Sequence, residues 1–151
     1  MLWRLRSGAP TTKTAIINTK GITERIKMRK TKSPLKRAKQ KAWAEFSLYI
    51  RTRDKKCVTC KTGSAQQAGH FIDGRHNAVL FSEKGVHGQC YHCNVGLKGN
   101  KLEYWLFMER TYGRKLIDKL MAESKQTVIY KIPDYEAIAK KYEKKLKELE
   151  V

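Results

Sequence analysis

Apolar residues recur at helical spacing in four stretches of this chain and lose that spacing in its middle. In residues 35–54, Trp43, Phe46 and Ile50 stand at i, i+3 and i+7, with Ala42 and Tyr49 beside them. A single stripe of that width predicts a helix that buries one face. Residues 101–112 predict a second helix, with Leu102, Trp105, Leu106 and Tyr112 on its buried side. Gly113 ends or kinks it, and residues 114–124 continue with Leu116, Ile117, Leu120 and Met121. Residues 127–132 alternate Val128, Tyr130 and Ile132, which predicts an extended segment. Pro133 and Asp134 open a last helix on which Tyr135, Ile138, Ala139, Tyr142, Leu146 and Leu149 share a face. Lys144 and Glu148 form an i,i+4 pair on it. That stripe either closes the core or pairs two protomers.

Between the first two helices the pattern changes. Gly63, Gly69, Gly74, Gly85 and Gly88 punctuate residues 57–94, and the apolar runs at 70–72 and 78–81 have no helical period. A small β-hairpin or ribbon fits them better. A further helix should start near Cys90 and carry Cys93, Asn94 and Leu97 before Gly99 and Asn100 end it.

Size and charge narrow the class. A chain of 151 residues is one domain by default, and 40% apolar content supports a modest core. Small cores often need a staple such as a structural metal. The formal charge is +19, from 33 Lys+Arg against 14 Asp+Glu. Such an excess repels itself, and a polyanion relieves it. Nucleic acid is therefore the first partner to consider, through phosphate neutralisation and counterion release. Ribosomal and membrane-surface proteins are also basic, so charge sets a class of partner and no activity. Residues 1–41 hold 13 Lys/Arg and one acid, Glu24, with sparse apolar residues. We read 1–34 as an extended or disordered basic arm and 35–151 as the folded domain. Lys36 and Arg37 carry the basic face onto the first helix and are candidates for DNA contact. No run approaches the roughly 18 apolar residues of a membrane span, and the first ten residues lack the apolar core of a secretory signal. A cytoplasmic setting is expected. There, paired cysteines favour metal over disulfides.

All four cysteines fall in two CxxC pairs, Cys57/Cys60 and Cys90/Cys93, separated by 29 residues. A CxxC turn presents two thiolates on one side of a tight loop. Two such turns complete a tetrahedral all-sulfur site, which suits Zn²⁺. Lys55, Lys56 and Lys61 favour the deprotonated thiols. A closed four-cysteine site leaves no open coordination position, so this zinc is structural.

Chemistry must then come from what the zinc holds. His70 follows Gly69 in an expected strand, and Asn94 follows Cys93 in the first turn of the next helix. A strand–loop–helix unit can bring them together. A hard cation, Mg²⁺ or Mn²⁺, takes oxygen ligands, and the Asn94 amide offers one. A neutral imidazole beside it can take a proton from water for attack on a phosphodiester. The bland reading of a lone histidine is a satisfied structural one, and Asn94 can equally brace a helix start. His87, three residues before Cys90, can bind a second metal, orient His70 or contact phosphate. Asp73 is either a metal ligand or a turn residue beside Gly74. His76 and Asn77 are loop residues, and His92 points to solvent. Arg75, Lys98 and Lys101 are placed to grip flanking phosphates.

The joint pattern CVTC, AGHF, VHGQCYHCN and KGNKLEYW resembles the phage recombination endonucleases of the NinG or Rap family, over about residues 48–150. The resemblance implies an α+β fold, mostly helical, with a small zinc-stapled ββα-metal centre of the HNH or treble-clef-like kind. It implies a metal-dependent DNA endonuclease cutting branched DNA, Holliday junctions and D-loops, in a phage or prophage setting. Cys57, Cys60, Cys90 and Cys93 match the family's cysteines, and His70, His87, Asn94 and Asn100 fall at matching positions. One departure stands out. Related His-Asn-His nucleases often place a metal-binding Asp or His just before the base histidine, and here that position is Gly69. The first ligand to the catalytic metal is thus unassigned, and His70 as ligand with His87 as base stays open. Two rivals share parts of the pattern: a zinc-stapled nucleic-acid-binding module without catalysis, and a general HNH nuclease acting on duplex DNA. Symmetric junction cleavage needs two active sites, so a homodimer is expected.

Overall fold

The computed structural model describes residues 32–149. The basic arm read over 1–34 lies outside these residues except for its last three. Ser33 and Pro34 already belong to a helix start. Ser33 Oγ accepts the Lys36 N–H at 3.3 Å, and Pro34 occupies the first turn of α1 (Pro34–Asp54). A serine cap followed by a proline with a pre-set φ is a favourable helix N-terminus. The stripe read from the sequence is the buried one: Ala42, Phe46, Tyr49 and Ile50.

β1 (Gln67–His70) and β2 (Val86–Gln89) form an antiparallel pair, in the register Gln67 to Gln89, Ala68 to Gly88, Gly69 to His87 and His70 to Val86. A hairpin was expected here, but from other residues. The apolar run at 78–81 is not a strand. It enters as a single helical turn, Asn77–Val79, that buries Val79 and Leu80. The strands were chosen by close approach rather than by β propensity. A Cβ at Gly88 would lie 2.6 Å from Ala65 Cβ and 3.0 Å from Asp54 Cβ, so only glycine lets β2 reach the end of α1. There, Asp54 Oδ2 accepts the Gly88 N–H at 2.7 Å. Arg53 holds the same carboxylate and also donates to the carbonyls of Glu83 (2.9 Å) and Val86 (3.2 Å).

The expected helix at Cys90 is shorter than its pattern suggested: one wide turn, His92–Gly96. α2 (Lys101–Tyr112), α3 (Arg114–Ser124) and α4 (Ile132–Leu149) follow. The buried face of α2 corrects the sequence reading. Leu102 is 71% exposed and Leu106 is exposed too, while Tyr104 and Met108 are fully buried. Trp105 and Tyr112 are packed against the core as expected. Tyr104 goes inward because its ring fills the core while its hydroxyl finds a backbone partner at 2.8 Å.

Two clusters flank the hairpin. On one side Phe46, Tyr49 and Ile50 of α1 meet Val86 of β2 and Tyr142 and Leu146 of α4. Phe46 and Tyr142 meet edge to face at 4.8 Å. The stripe of the last helix therefore closes the core within one chain. Glu83 fastens this side by accepting from Tyr49 (3.3 Å), Tyr142 (3.1 Å) and Lys145 (2.6 Å). On the other side Phe71 and Val79 pack with Tyr104, Met108, Ile117 and Leu120. Residues 127–131 carry no regular secondary structure and Ile132 already begins α4, one residue short of the extended segment read from the sequence; Asn77 Nδ2 donates to the Val128 carbonyl at 2.9 Å. Among the described residues no helix is long and apolar enough to cross a membrane. The fold is mostly helical with one two-stranded sheet, as the α+β reading required.

Phe46 is fully buried between α1 and α4. Phe46→Ala should cost about 3–5 kcal/mol by urea denaturation. Leu48→Ala, on the exposed face of the same helix, should shift stability by no more than about 0.5 kcal/mol.

Candidate active site on a four-cysteine platform

The four thiols converge. The sulfurs of Cys57, Cys60, Cys90 and Cys93 all lie within 4.8 Å of one another, with Cys60 and Cys90 at 3.8 Å. Tetrahedral coordination at about 2.3 Å places sulfurs ~3.7 Å apart, so the donor set fits Zn²⁺. The backbone prepares the turns. Cys57 N–H donates to the Gly63 carbonyl at 2.7 Å and Cys93 N–H to Cys90 Sγ at 3.4 Å. Hydrogen bonds from the Thr62 hydroxyl and the Gly63 backbone push Cys60 down to about 5. Asn100, whose φ is 46°, donates from Nδ2 to Cys93 Sγ at 3.7 Å. Such outer partners orient and charge-balance thiolate ligands.

The second CxxC turn leads straight into Asn94, whose N–H donates to the Cys90 carbonyl at 3.0 Å. The zinc platform thus fixes where Asn94 stands. His70, at the end of β1, lines the same cleft as Asn94, a space of about 280 Å³ that also includes Asp73, Arg75, Lys98 and Lys101. The structure therefore brings together the histidine, the asparagine and the three cations that the sequence singled out. Arg75 and Lys98 both adopt left-handed backbone, at φ 49° and 50°. Asp73 does what a turn residue at the rim can do. It is exposed and accepts a 2.6 Å ion pair from Lys101. Lys36 lines an adjoining groove with Trp43 and Arg75, whereas Arg37 faces a separate groove between α1 and α4.

The state of His70 follows from its contacts. Its ring stacks on Trp43 with centroids 5.0 Å apart and planes 14° from parallel. Its Nε2 is 3.3 Å from the Leu80 carbonyl. A carbonyl only accepts, so Nε2 carries the hydrogen and Nδ1 keeps its lone pair. Burial pushes the His70 pKa down to about 4, with help from the charges of Arg75 and Lys101 and against the Leu80 bond and Asp73. The ring is accordingly neutral at pH 7. Trp43 looked like a core residue in the sequence, and its second use was not legible. Arg75 also lies over it, at 4.9 Å.

Of the roles open to His87, phosphate contact in the cleft is the one its place argues against. His87 is buried in the core and does not line the cleft, so it cannot contact phosphate there. Its two nitrogens meet Tyr104 Oη (3.1 Å) and Tyr112 Oη (2.9 Å). Tyr104 must give its single hydroxyl hydrogen to the Gly69 carbonyl at 2.8 Å. His87 Nδ1–H therefore donates to Tyr104, and Tyr112 donates to His87 Nε2. Burial pushes the His87 pKa down to about 4, consistent with one neutral tautomer. The chain of bonds ends on the backbone immediately before His70, so His87 braces the strand that carries it. His92 is exposed, as expected; His76 stands in the loop, and Asn77 instead opens the short helical turn Asn77–Val79.

Gln89 escaped the sequence reading altogether. It is fully buried, and its Nε2 donates to the Gly99 carbonyl (2.9 Å) and Thr59 Oγ1 (3.3 Å). Nothing in one sequence separates such a glutamine from the other polar residues of the chain.

Zinc should be present at one ion per chain by elemental analysis. Cys90→Ser should lose it, and the amides of β1 and β2 should then exchange rapidly, because little else holds two four-residue strands together.

The chain is 28% identical over 115 residues to Protein ninG of Escherichia phage 933W, covering 73% of this chain and 57% of that protein. Protein ninG of Escherichia phage lambda and of Salmonella phage P22 match at the same identity, over 73% of this chain and 56% of theirs. The chain thus spans a little over half the length of these curated relatives. No solved structure matches it. The family model described as Bacteriophage Lambda NinG protein matches residues 11–151, and the chain belongs to that family.

Proposed function

We propose that the protein is a metal-dependent DNA endonuclease whose centre is the cleft between His70 and Asn94. The observation that carries the reading is the state of His70. Its Nε2–H is committed to the Leu80 carbonyl, its Nδ1 is free to accept a proton, and the ring is held by Trp43 in a cleft with three cations. This orientation supports catalysis over a purely binding role because it leaves a proton acceptor in a cleft lined by Arg75, Lys98 and Lys101.

The roles follow from the chain's own groups. Arg75, Lys98 and Lys101 bind the phosphates that flank the scissile bond. His70 Nδ1 takes a proton from the attacking water. The new P–O bond forms from that water oxygen, the bond to the leaving oxygen breaks, and solvent protonates the leaving group. We assign Asn94 Oδ1 as an oxygen ligand to a divalent cation, because Asn94 lines the cleft and its backbone is tied to the cysteine turn before it. A cation held there, Mg²⁺ or Mn²⁺, would stabilise charge on the phosphate and the leaving oxygen. The zinc does none of this work, since four thiolates close its coordination shell.

For substrate we carry forward branched DNA, Holliday junctions and D-loops, on the resemblance described above, acted on by a homodimer. A linear-duplex nuclease with the same centre is the rival.

The full chain should cut a labelled four-way junction with Mg²⁺ and not with EDTA, and should cut it faster than linear duplex. His70→Ala should slow cleavage by about 100-fold or more while zinc content is kept. Equal rates for His70→Ala and wild type would remove His70 as base. Lys101→Ala and Arg75→Ala should each weaken DNA binding and lower the slope of log K against log salt by about one.

A further inference from the structure

Position 69 is where a first metal ligand is expected and where this chain has glycine. The surroundings of that glycine show what stands in the gap. A Cβ at Gly69 would overlap Gln89 Oε1 and lie 2.9 Å from Asn94 Oδ1. The two amide oxygens thus converge on the point from which a side chain at 69 would project. They come from different elements: Gln89 from the end of β2, Asn94 from the turn beyond the second cysteine pair.

Gln89 Oε1 is also unsatisfied. The residue is 0% exposed, and this oxygen is the buried side-chain polar atom without a hydrogen-bond partner among the described residues. The amide cannot be turned round to cure this. Its Nε2 faces the Gly99 carbonyl at 2.9 Å, which accepts only, so exchanging O and N would set two acceptors against each other. Leaving a buried carbonyl oxygen unpaired is costly, and each such group needs an explanation. A hard cation is a partner that an amide oxygen can take.

We infer that Gln89 Oε1 supplies the metal ligand missing at Gly69, so that Gln89 and Asn94 together form the protein's oxygen pair for the divalent cation. The inference rests on the nuclease reading above for the presence of that cation. The ligand has moved across the hairpin, from β1 to the facing strand, and glycine at 69 is what leaves room for it. Two neutral amides hold a cation less tightly than a carboxylate pair would. Binding of the free ion should therefore be weak and should strengthen when DNA phosphate joins the site.

The test uses the zinc-loaded full chain and Mn²⁺ alone, followed by the paramagnetic resonance signal of free Mn²⁺, with zinc content and circular dichroism recorded for every variant. Wild type should bind one Mn²⁺ that competes with Mg²⁺. Gln89→Ala should weaken this by at least the roughly 10- to 100-fold that loss of even an outer partner brings. Gly69→Asp alone should clash with Gln89 and lower stability. The double variant Gly69→Asp with Gln89→Ala should recover Mn²⁺ binding to within a few-fold of wild type, because it returns an oxygen to the same point from β1. A purely structural glutamine, needed for Thr59 and Gly99, would not be rescued by an aspartate on the other strand. Folded Gln89→Ala that binds Mn²⁺ like wild type overturns the assignment, as does a folded double variant with no recovery. If DNA is still cut in either case, the nuclease reading stands without Gln89. If wild type neither binds Mn²⁺ nor cuts any DNA, the nuclease reading falls and the ligand assignment with it.

Discussion

Four sulfurs within 4.8 Å of one another are the constraint on which the rest of the molecule depends. Cys57 follows the end of α1 closely, and Cys90 is the residue after β2. One tetrahedral ion held there would tie the longest described helix, the hairpin and the turn bearing Asn94 into a single unit. Two strands of four residues have little stability of their own. A modest apolar core in a chain of charge +19 has little to lend them. Metal binding in such a centre is folding free energy, and it is delivered beside the cleft of His70 and Asn94.

The hairpin then separates two tasks by its two faces. Ala68 and Val86 pack toward α1 and α4, and His70 leaves this strand to stack on Trp43. Gly69 and His87 face α2, where Tyr112, His87 and Tyr104 pass hydrogen bonds in one direction to the Gly69 carbonyl. His70 is thus held from both sides: by a ring and the Leu80 carbonyl at its own side chain, and by a buried polar chain at the backbone before it. A satisfied buried network of this kind rigidifies its surroundings. Around the cleft, Arg75, Lys98 and Lys101 raise a positive field with one rim carboxylate, Asp73, to offset it. Burial keeps the histidine unprotonated, and the charges of Arg75 and Lys101 add to that effect.

Much of this was legible in the residues and some was not. The CxxC pairs declared the metal because thiolate chelation has a spacing that does not depend on the fold. Helices α1 and α4 declared themselves through long apolar stripes. The short elements misled. The run at 78–81 looked like a strand because its residues are apolar, yet Gly88 made β2, because only a residue without a side chain fits between Asp54 and Ala65. On α2, Leu102 and Leu106 suggested the buried face, and Tyr104 took it because its hydroxyl had a carbonyl to meet. His87 resembled a site residue because it stands three before Cys90. Its place in the core is fixed by two tyrosines, Tyr104 and Tyr112, that lie 17 and 25 residues away along the chain.

The sequence by itself determined the charge, the zinc platform, the main helices and the pair of His70 and Asn94, because each rests on residue chemistry or on local spacing. Only the tertiary structure decided which histidine faces the cleft, which nitrogen of it is free, and which oxygens gather beside the empty side of Gly69. Those outcomes depend on groups far apart in the chain meeting at ångström distances. A hydrogen bond to Leu80, a ring from α1 and an amide from β2 have no signature in the order of residues until the fold has closed around them.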